Sequence, residues 1–415
     1  MERTRIAGPS PDVVVVGGGI VGTSAAAFLA AASLRVVLVE REGLASGASG
    51  ANSGVVQHPF DPITADLYRS TVDLYRELAA SGAGAVLRPE PAGMLFVSER
   101  ESAARRQAEA IARSFPALAT DVIGGDELAR LEPALGPDLW ACRAAIGYPV
   151  APGASTYAYA TLAEKRGAEL RVGRTARLAI EGDAVIGVRI DGRLLPAGAV
   201  LAAAGPWTPD LLDPTGRWAP IRPLWGVVAD VDLAVTPTHV LEEAGIDDTI
   251  GVPEAAGAPD LTAATAAVSA DPTVRGEGLA PDPDRGPGPA PDDEVEFSLV
   301  PGPFATVVGS TFLSREPVPG DWVERILLGA SRFVPGIVDA PIRGLRACAR
   351  PQSADGRPLV GAVPGIRGLF VCAGHGAWGI SIGPGSSRLV ADLILGRAPA
   401  IASELDPARF GRPMA

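Results

Sequence analysis

One lysine, three histidines and three cysteines are all that 415 residues contain of those types. Each scarcity removes a class of chemistry. Schiff-base or lysine-base catalysis has a single candidate, Lys165, and its setting (Ala163-Glu164-Lys165-Arg166-Gly167) reads as an exposed helix end. Cys142, Cys348 and Cys372 show no CxxC spacing, so no disulfide framework or zinc site is expected, and a reducing, cytoplasmic compartment fits. His58, His239 and His375 are too scattered for a metal cluster, and no metal is expected. Basic residues are outnumbered 36 to 48, for a formal charge of −12, which argues against nucleic acid or an anionic membrane as the main partner. Long apolar runs are missing too. Val13–Val16 meets glycine at once, so it reads as a buried strand and not as a signal peptide or membrane span.

What is present is a globular chain. Hydrophobic residues make up 47%, enough for about two or three domains at this length. The start carries the strongest pattern. Asp12-Val13-Val14-Val15-Val16 is a buried strand, Gly17 to Gly22 a glycine turn, Ala25–Leu29 a helix with a small-residue face, and Arg35–Glu40 a second buried strand. This is a βαβ unit, whose strands are parallel with a right-handed crossover. Further along, helices are expected over 64–80, 99–113, 157–165, 322–333 and 386–396. Strands are expected over 94–97, 169–172, 199–205, 296–299, 306–308 and 368–373, with a hairpin over 176–190 turning at Glu181-Gly182-Asp183. Residues 253–293 are dominated by Pro, Gly, Ala and Asp. They read as a mobile surface insertion at 255–293, with a substrate-gating lid as the alternative.

Gly17, Gly19 and Gly22 form a GxGxxG pattern between a strand and a helix. The first glycine permits the tight turn, the second lets the backbone approach a pyrophosphate, and the third lets helix and strand pack closely. The helix start offers free N–H groups to phosphates. Glu40 ends the next strand, at the roughly 20-residue spacing where a carboxylate binds ribose hydroxyls, and it disfavours a 2′-phosphate. The pattern implies dinucleotide binding without separating FAD from NAD.

Four later segments make that distinction by resemblance. Ser46-Gly47-Ala48-Ser49-Gly50-Ala51-Asn52-Ser53-Gly54 resembles the second FAD loop of the D-amino-acid oxidase/glycine oxidase-type (DAO) flavoproteins. Ala202-Ala203-Ala204-Gly205-Pro206-Trp207 resembles that family's strand end. Ala349 to Gly361, with Arg350-Pro351 and Asp355-Gly356, resembles its Arg-Pro…Asp-Gly segment. Gly374-His375-Gly376-Ala377-Trp378-Gly379-Ile380 is similar to its C-terminal Gly-His…Gly element. The segments follow the family's order and span nearly the whole chain.

The resemblance implies FAD, expected to be non-covalent because no Cys lies in a familiar attachment motif and the residues around His58 reproduce none either. It implies cofactor contacts from Gly17, Gly19, Ile20, Val21, Gly22, Glu40 and Arg41, and from Ser46, Ser49, Ala51, Asn52, Ser53 and Gly54. Ala204, Gly205, Trp207, Gly374, His375, Gly376, Trp378, Gly379 and Ile380 complete the set. The Ser46, Ser49 and Ser53 hydroxyls and the Asn52 amide suit phosphates or the isoalloxazine edge, although such a loop in isolation also reads as plain Ser/Gly surface. Arg350 stands where the family holds a substrate carboxylate, and a structural salt bridge is its other reading. His375 is either a packed structural histidine or a group that binds or moves a proton. Trp225 stands where a polar or basic residue is common, and is either a packing residue or an apolar substrate contact.

The expected fold is α/β: a Rossmann-like FAD-binding domain with an interleaved α+β substrate domain, glycine oxidase-like. Residues 1–85, 150–218 and 340–415 are assigned to the first domain. Residues 86–149 and 219–339 are assigned to the second, with a mixed or antiparallel sheet covering the flavin. The expected activity is oxidation of the C–N bond of a small amino acid or secondary amine by hydride transfer to flavin. A 2-hydroxy-acid dehydrogenase and a flavin-binding subunit of a larger complex are the alternatives.

Overall fold

The computed structural model describes residues 10–84, 87–245, 295–397 and 401–413, and the proline-rich stretch at 255–293 lies outside them. The chain opens with β1 (Val13–Val16), α1 (Ile20–Ala31) and β2 (Val36–Glu40). The two strands pair in parallel, Val13 opposite Val36. They are central strands of a six-stranded sheet ordered Leu359–Ala362, Leu369–Ala373, Ala199–Ala202, β1, β2, Glu169–Val172. Only the first edge strand runs antiparallel to its neighbour.

Both faces of this sheet are covered, which is why β1 is four valines and not an alternating strand. On one face Val13, Val15 and Leu38 pack with α1 and with the helices Pro62–Ala80, Ala154–Lys165 and Gly379–Ile394. On the other, Val14, Val16 and Val37 meet Val185, Val188 and Leu195 of a small antiparallel sheet. That sheet is the expected hairpin, Ala176–Glu181 with Ala184–Ile190, extended by Arg193–Pro196.

The second large sheet has eight strands. Their order is Ile342–Ser353, Ile221–Val231, Thr306–Thr311, Val295–Pro301, Val240–Glu243, Met94–Ser98, Trp140–Ala144, Thr120–Gly124. It is mixed: Val240–Glu243 and Met94–Ser98 run parallel, and every other neighbouring pair is antiparallel. Alternation along Met94–Ser98 divides the two faces. Leu95 and Val97 pack with Ile326 of helix Val323–Ser331, whereas Met94 and Phe96 pack with Ile111 of helix Glu101–Ser114.

Two expectations shift. The segment 340–415 is divided between the sheets, because Ile342–Ser353 pairs along its length with Ile221–Val231, and the chain crosses to the parallel sheet only at Leu359. The final helix begins at Gly379, not near Ser386. Pro384 lies inside it and lacks the N–H that would bond the Ile380 carbonyl. The fold supplies the missing donor: the buried Tyr75 hydroxyl donates to the Ile380 oxygen at 2.7 Å, and Thr71 Oγ1 accepts from Gly385 N–H at 2.9 Å. Helix Pro62–Ala80, N-capped by Asp61, thus replaces the hydrogen bonds that a proline would cost the last helix. Tyr75→Phe leaves the Ile380 carbonyl buried without its donor. It should lower stability by about 1–3 kcal/mol, read by denaturant unfolding. An unchanged midpoint would show that the carbonyl finds another partner.

Candidate functional site

The glycine turn, the last helix and the large sheet enclose one cavity of about 760 Å³, within the usual range for ligand sites. The turn is built by close approach. Gly17 has φ +121°, and a Cβ there would sit 2.3 Å from the Ala203 oxygen; one at Gly22 would sit 1.9 Å from the Gly17 oxygen. These two glycines let β1, α1 and the strand Ala199–Ala202 meet. Gly19 instead lines the cavity, as Gly17, Ile20 and Val21 also do. The first turn of α1 carries no acidic residue, so its positive end faces the cavity with the Ser49 hydroxyl accepting from Ile20 N–H at 3.0 Å.

Glu40 and Arg41 line the same end. The Glu40 carboxylate accepts from Gly18 N–H at 2.6 Å and from Glu42 N–H at 2.7 Å, and the Arg41 guanidinium stacks 4.1 Å above the Trp207 ring. Ser46, Ser49, Ala51, Asn52 and Ser53 line the wall beside them. The loop is partly helical, Ala48–Ala51. Asn52 spends its amide on that local structure: Nδ2 donates to the Ala48 and Ser49 carbonyls and Oδ1 accepts from Gly54 N–H. Ala204, Gly205, Trp207, His375, Gly376, Trp378, Gly379 and Ile380 also line the cavity. Gly22, Gly54 and Gly374 do not line it, because each is used for close backbone packing beside it.

Arg350 reaches the cavity from the large sheet. Its guanidinium lies over Gly226 on the neighbouring strand, where even a Cβ would come within 2.2 Å of Nη2. Nη1 donates to the Thr311 carbonyl at 2.8 Å, Nη2 donates to the Ser310 hydroxyl, and the Phe312 ring centroid lies 4.5 Å away. These hydrogen-bond and ring partners are all neutral. Burial pulls the guanidinium below its ordinary value, with Cys348 and Glu296 acting the other way.

Trp225 is not in the cavity lining. It precedes Gly226 on an extended strand, so it shares a face with Val227 and Ala229, which pack into the core on the far side of the sheet. Its backbone N–H and carbonyl exchange hydrogen bonds with Leu313 at 2.8 Å. Lys165 is also remote, its ammonium donating to the Gly82 carbonyl on the surface.

Sequence reasoning missed two groups. Arg174, Thr175 and Arg177 border the cavity, and Arg174 N–H donates to the Glu40 carbonyl at 2.8 Å. Gln57, Val228, Glu242, Ser298, Gly309, Ser310 and Phe312 border it on the sheet side. No local motif marks either group. The one hint was an acid in an otherwise buried strand, Val240-Leu241-Glu242.

A family model described as FAD dependent oxidoreductase (DAO) matches residues 12–393. The chain belongs to that family. A D-amino acid dehydrogenase from Xylella fastidiosa (strain M12) is 30% identical over 302 residues, which is 70% of this chain and 58% of the relative, so the match spans less than two thirds of that protein. Glycine oxidase from Bacillus cereus ATCC 14579 shares the fold with a TM-score of 0.74 at 24% identity, covering 93% of this chain and 95% of that one. Iminodiacetate oxidase from Chelativorans sp. BNC1 gives 0.74 at 22% identity, covering 95% and 98%.

The residues present fit the family's cofactor. The cavity runs to the sheet from a helix start whose N-cap residue, Gly19, has no side chain, and it is lined by His375, whose buried Nε2 has no hydrogen-bond partner among the described residues. Burial lowers the His375 pKa from 6.5 to about 4, so the ring is neutral near pH 7. His58 is lowered to about 4 by the same cause; it lies outside the cavity, among the rings of Phe60, Tyr68 and Phe115. In the unfolded chain both rings titrate near 6.5, so below that pH the unfolded state binds more protons. Stability is therefore full above about 6.5 and is lost as the pH falls through about 4, by on the order of 3 kcal/mol for each ring. Thermal melts at pH 7 and pH 5 should show a smaller acid-induced drop in His58→Phe than in the unmodified chain. Parallel curves would mean that His58 takes no part.

Proposed function

We propose that this chain oxidises the C–N bond of a small amino acid or secondary amine that carries a carboxylate, using non-covalently bound FAD. Arg350 carries this reading. It is a half-buried guanidinium whose hydrogen-bond partners are neutral, held at the sheet side of the cavity. A planar fork in that position suits a carboxylate, and a carboxylate stripped of water needs such a partner. The related proteins lend support: a D-amino acid, glycine and iminodiacetate are the substrates in their names, and each combines an amine with a carboxylate.

FAD, when bound, supplies the acceptor for a hydride from the carbon bearing nitrogen. The protein's part is to bind and orient. The turn of Gly17, Gly19 and Gly22 with the start of α1 would hold the pyrophosphate, Glu40 the ribose, and Ser46, Ser49 and Ser53 further polar edges. The backbone N–H groups of 374–380 would stabilise charge that develops on the cofactor. Neutral His375 packs there without adding charge.

Two observations on candidate nucleophiles support non-covalent attachment. His58 lies outside the cavity, and burial pushes the Cys348 and Cys372 thiols up, away from the reactive thiolate. Acid precipitation should release all flavin to the supernatant. Flavin in the pellet would overturn this part and direct peptide mapping to Cys348 and Cys372.

Anaerobic flavin bleaching by a panel of amino acids, carboxyl-free amines and 2-hydroxy acids tests the activity. Amino acids or carboxylated secondary amines should reduce the flavin; reduction by hydroxy acids alone, or by nothing, would defeat the reading. Arg350→Lys keeps the charge and loses the fork, so KM should rise steeply with the flavin spectrum intact. Arg350→Ala should cost about 3–5 kcal/mol in kcat/KM. Carboxyl-free amines should be far less affected, and equal losses for both classes would make Arg350 structural.

A further inference from the structure

The strand Ile342–Ser353 turns alternate residues to the cavity side of the large sheet. Arg346, Cys348 and Arg350 are three of them, set by register opposite Val228, Gly226 and Leu224. Cys348 and Arg350 line the cavity, and Arg346 does not. All three side chains reach partners off their own strand. Arg350 bonds Ser310 and Thr311, whereas Cys348 and Arg346 bond the loop that carries Ser46, Ser49 and Ser53.

Arg346 makes the firmer of the two loop contacts. Its Nη2 donates to the Asn52 carbonyl at 3.3 Å, and its Nη1 donates to Asp230 Oδ2 on the neighbouring strand. The Arg346 and Asp230 side chains are 21% and 25% exposed, so salt screens this pair less than a surface pair. Asp230 lies opposite Gly344, where a Cβ would come within 3.1 Å of Oδ2. The glycine thus gives the carboxylate room beside Arg346. The Arg346 Nε–H is buried with no acceptor among the described residues, a cost that a casual surface pair does not carry.

The loop needs support from outside. Its helical part, Ala48–Ala51, is a single turn, and a single turn does not hold itself. Its carbonyls are taken up by the protein. Asn52 Nδ2 donates to those of Ala48 and Ser49, Gly153 N–H donates to that of Ser49 at 3.0 Å, and Cys348 Sγ donates to that of Ala48 at 3.8 Å. Arg346 takes the carbonyl of Asn52, the residue whose side chain closes the turn. Carbonyl oxygens repel an anionic cofactor, and here they are engaged while Ser46, Ser49 and Ser53 line the cavity.

We propose that Arg346, braced by Asp230, is a positioning residue that holds the 46–54 loop in its cofactor-binding shape, so that the large sheet sets how tightly FAD is held. It acts through Asn52 and touches no reacting atom. This rests on FAD being bound non-covalently, and on no particular substrate.

Holoenzyme diluted in steps and ultrafiltered gives the FAD dissociation constant from the fluorescence of the filtrate. Arg346→Met keeps the length and loses the donors. It should raise the constant at least about tenfold, as expected for a lost hydrogen bond from a charged group. Arg346→Lys keeps a charged donor and should bring the constant back to within about threefold of the unmodified protein. Arg343→Met breaks the exposed pair with Asp232 on the same strand and should change it by less than about twofold. Equal flavin retention in Arg346→Met and the unmodified protein would overturn the proposal, as would equal losses in Arg346→Met and Arg343→Met. Amide exchange at saturating FAD separates positioning from general stability. Peptides covering 46–54 should exchange faster in Arg346→Met, and those covering Val13–Val16 should not. Uniform acceleration would make Arg346 merely structural and sink the proposal. If Arg346→Met fails to fold, Asp230→Asn takes its place in both measurements, with a smaller rise in the constant and the same confinement to 46–54. Acid precipitation keeps the two readings apart. Flavin left in the pellet of the unmodified protein defeats non-covalent binding and this inference with it. Flavin freed by acid but retained equally on dilution defeats the role of Arg346 alone.

Discussion

A guanidinium held under a β-sheet needs acceptors, room and an eventual counter-charge, and much of this protein's cavity is arranged around those needs at Arg350. The acceptors are Ser310 and Thr311, two strands over in the sheet. The room is Gly226, whose missing side chain lets the guanidinium lie flat across the intervening strand. Phe312 closes the outer face. The register of Ile342–Ser353 against Ile221–Val231 brings these together: Leu224 opposite Arg350 and Gly226 opposite Cys348. A slip of one residue would turn Arg350 to the far side of the sheet. Among the described residues its hydrogen-bond partners are all neutral.

The same strand joins the two halves of the fold. It belongs to the large sheet by pairing, and the chain then enters the parallel sheet at Leu359–Ala362. The last helix meets the glycine turn in the same region: Ser387 Oγ donates to the Val21 carbonyl at 2.9 Å, and Gly383 packs against Ile20 and Val21. Tyr75 and Thr71 hold that helix past its internal proline. The glycine turn, the last helix and Arg350 therefore keep fixed relative positions without a disulfide between the sheets, and all three cysteines are free and buried. Among the described residues, no helix is long and apolar enough to cross a membrane.

The sequence by itself determined the parts whose cause is local. Four consecutive valines between turn signals can only be a strand buried on both faces, and glycines at 17 and 22 are required by carbonyls 2.3 and 1.9 Å from where a Cβ would stand. The βαβ unit, the hairpin after Ala176, most helices and most cavity-lining residues of the cofactor end were legible for this reason. Tertiary structure decided what depends on distant partners. Trp225 looked like a site residue because it stands where the family commonly has a polar or basic residue, and strand alternation sends it to the opposite face. Asn52 looked like a ligand because of its amide, which the loop's own backbone consumes. Pro384 concealed the start of the last helix because the donor that replaces its missing N–H lies some three hundred residues away on Tyr75. Glu242, Ser298 and Gly309 carried no motif, since a row across a sheet is made by pairing between strands, and pairing has no signature within any one of them.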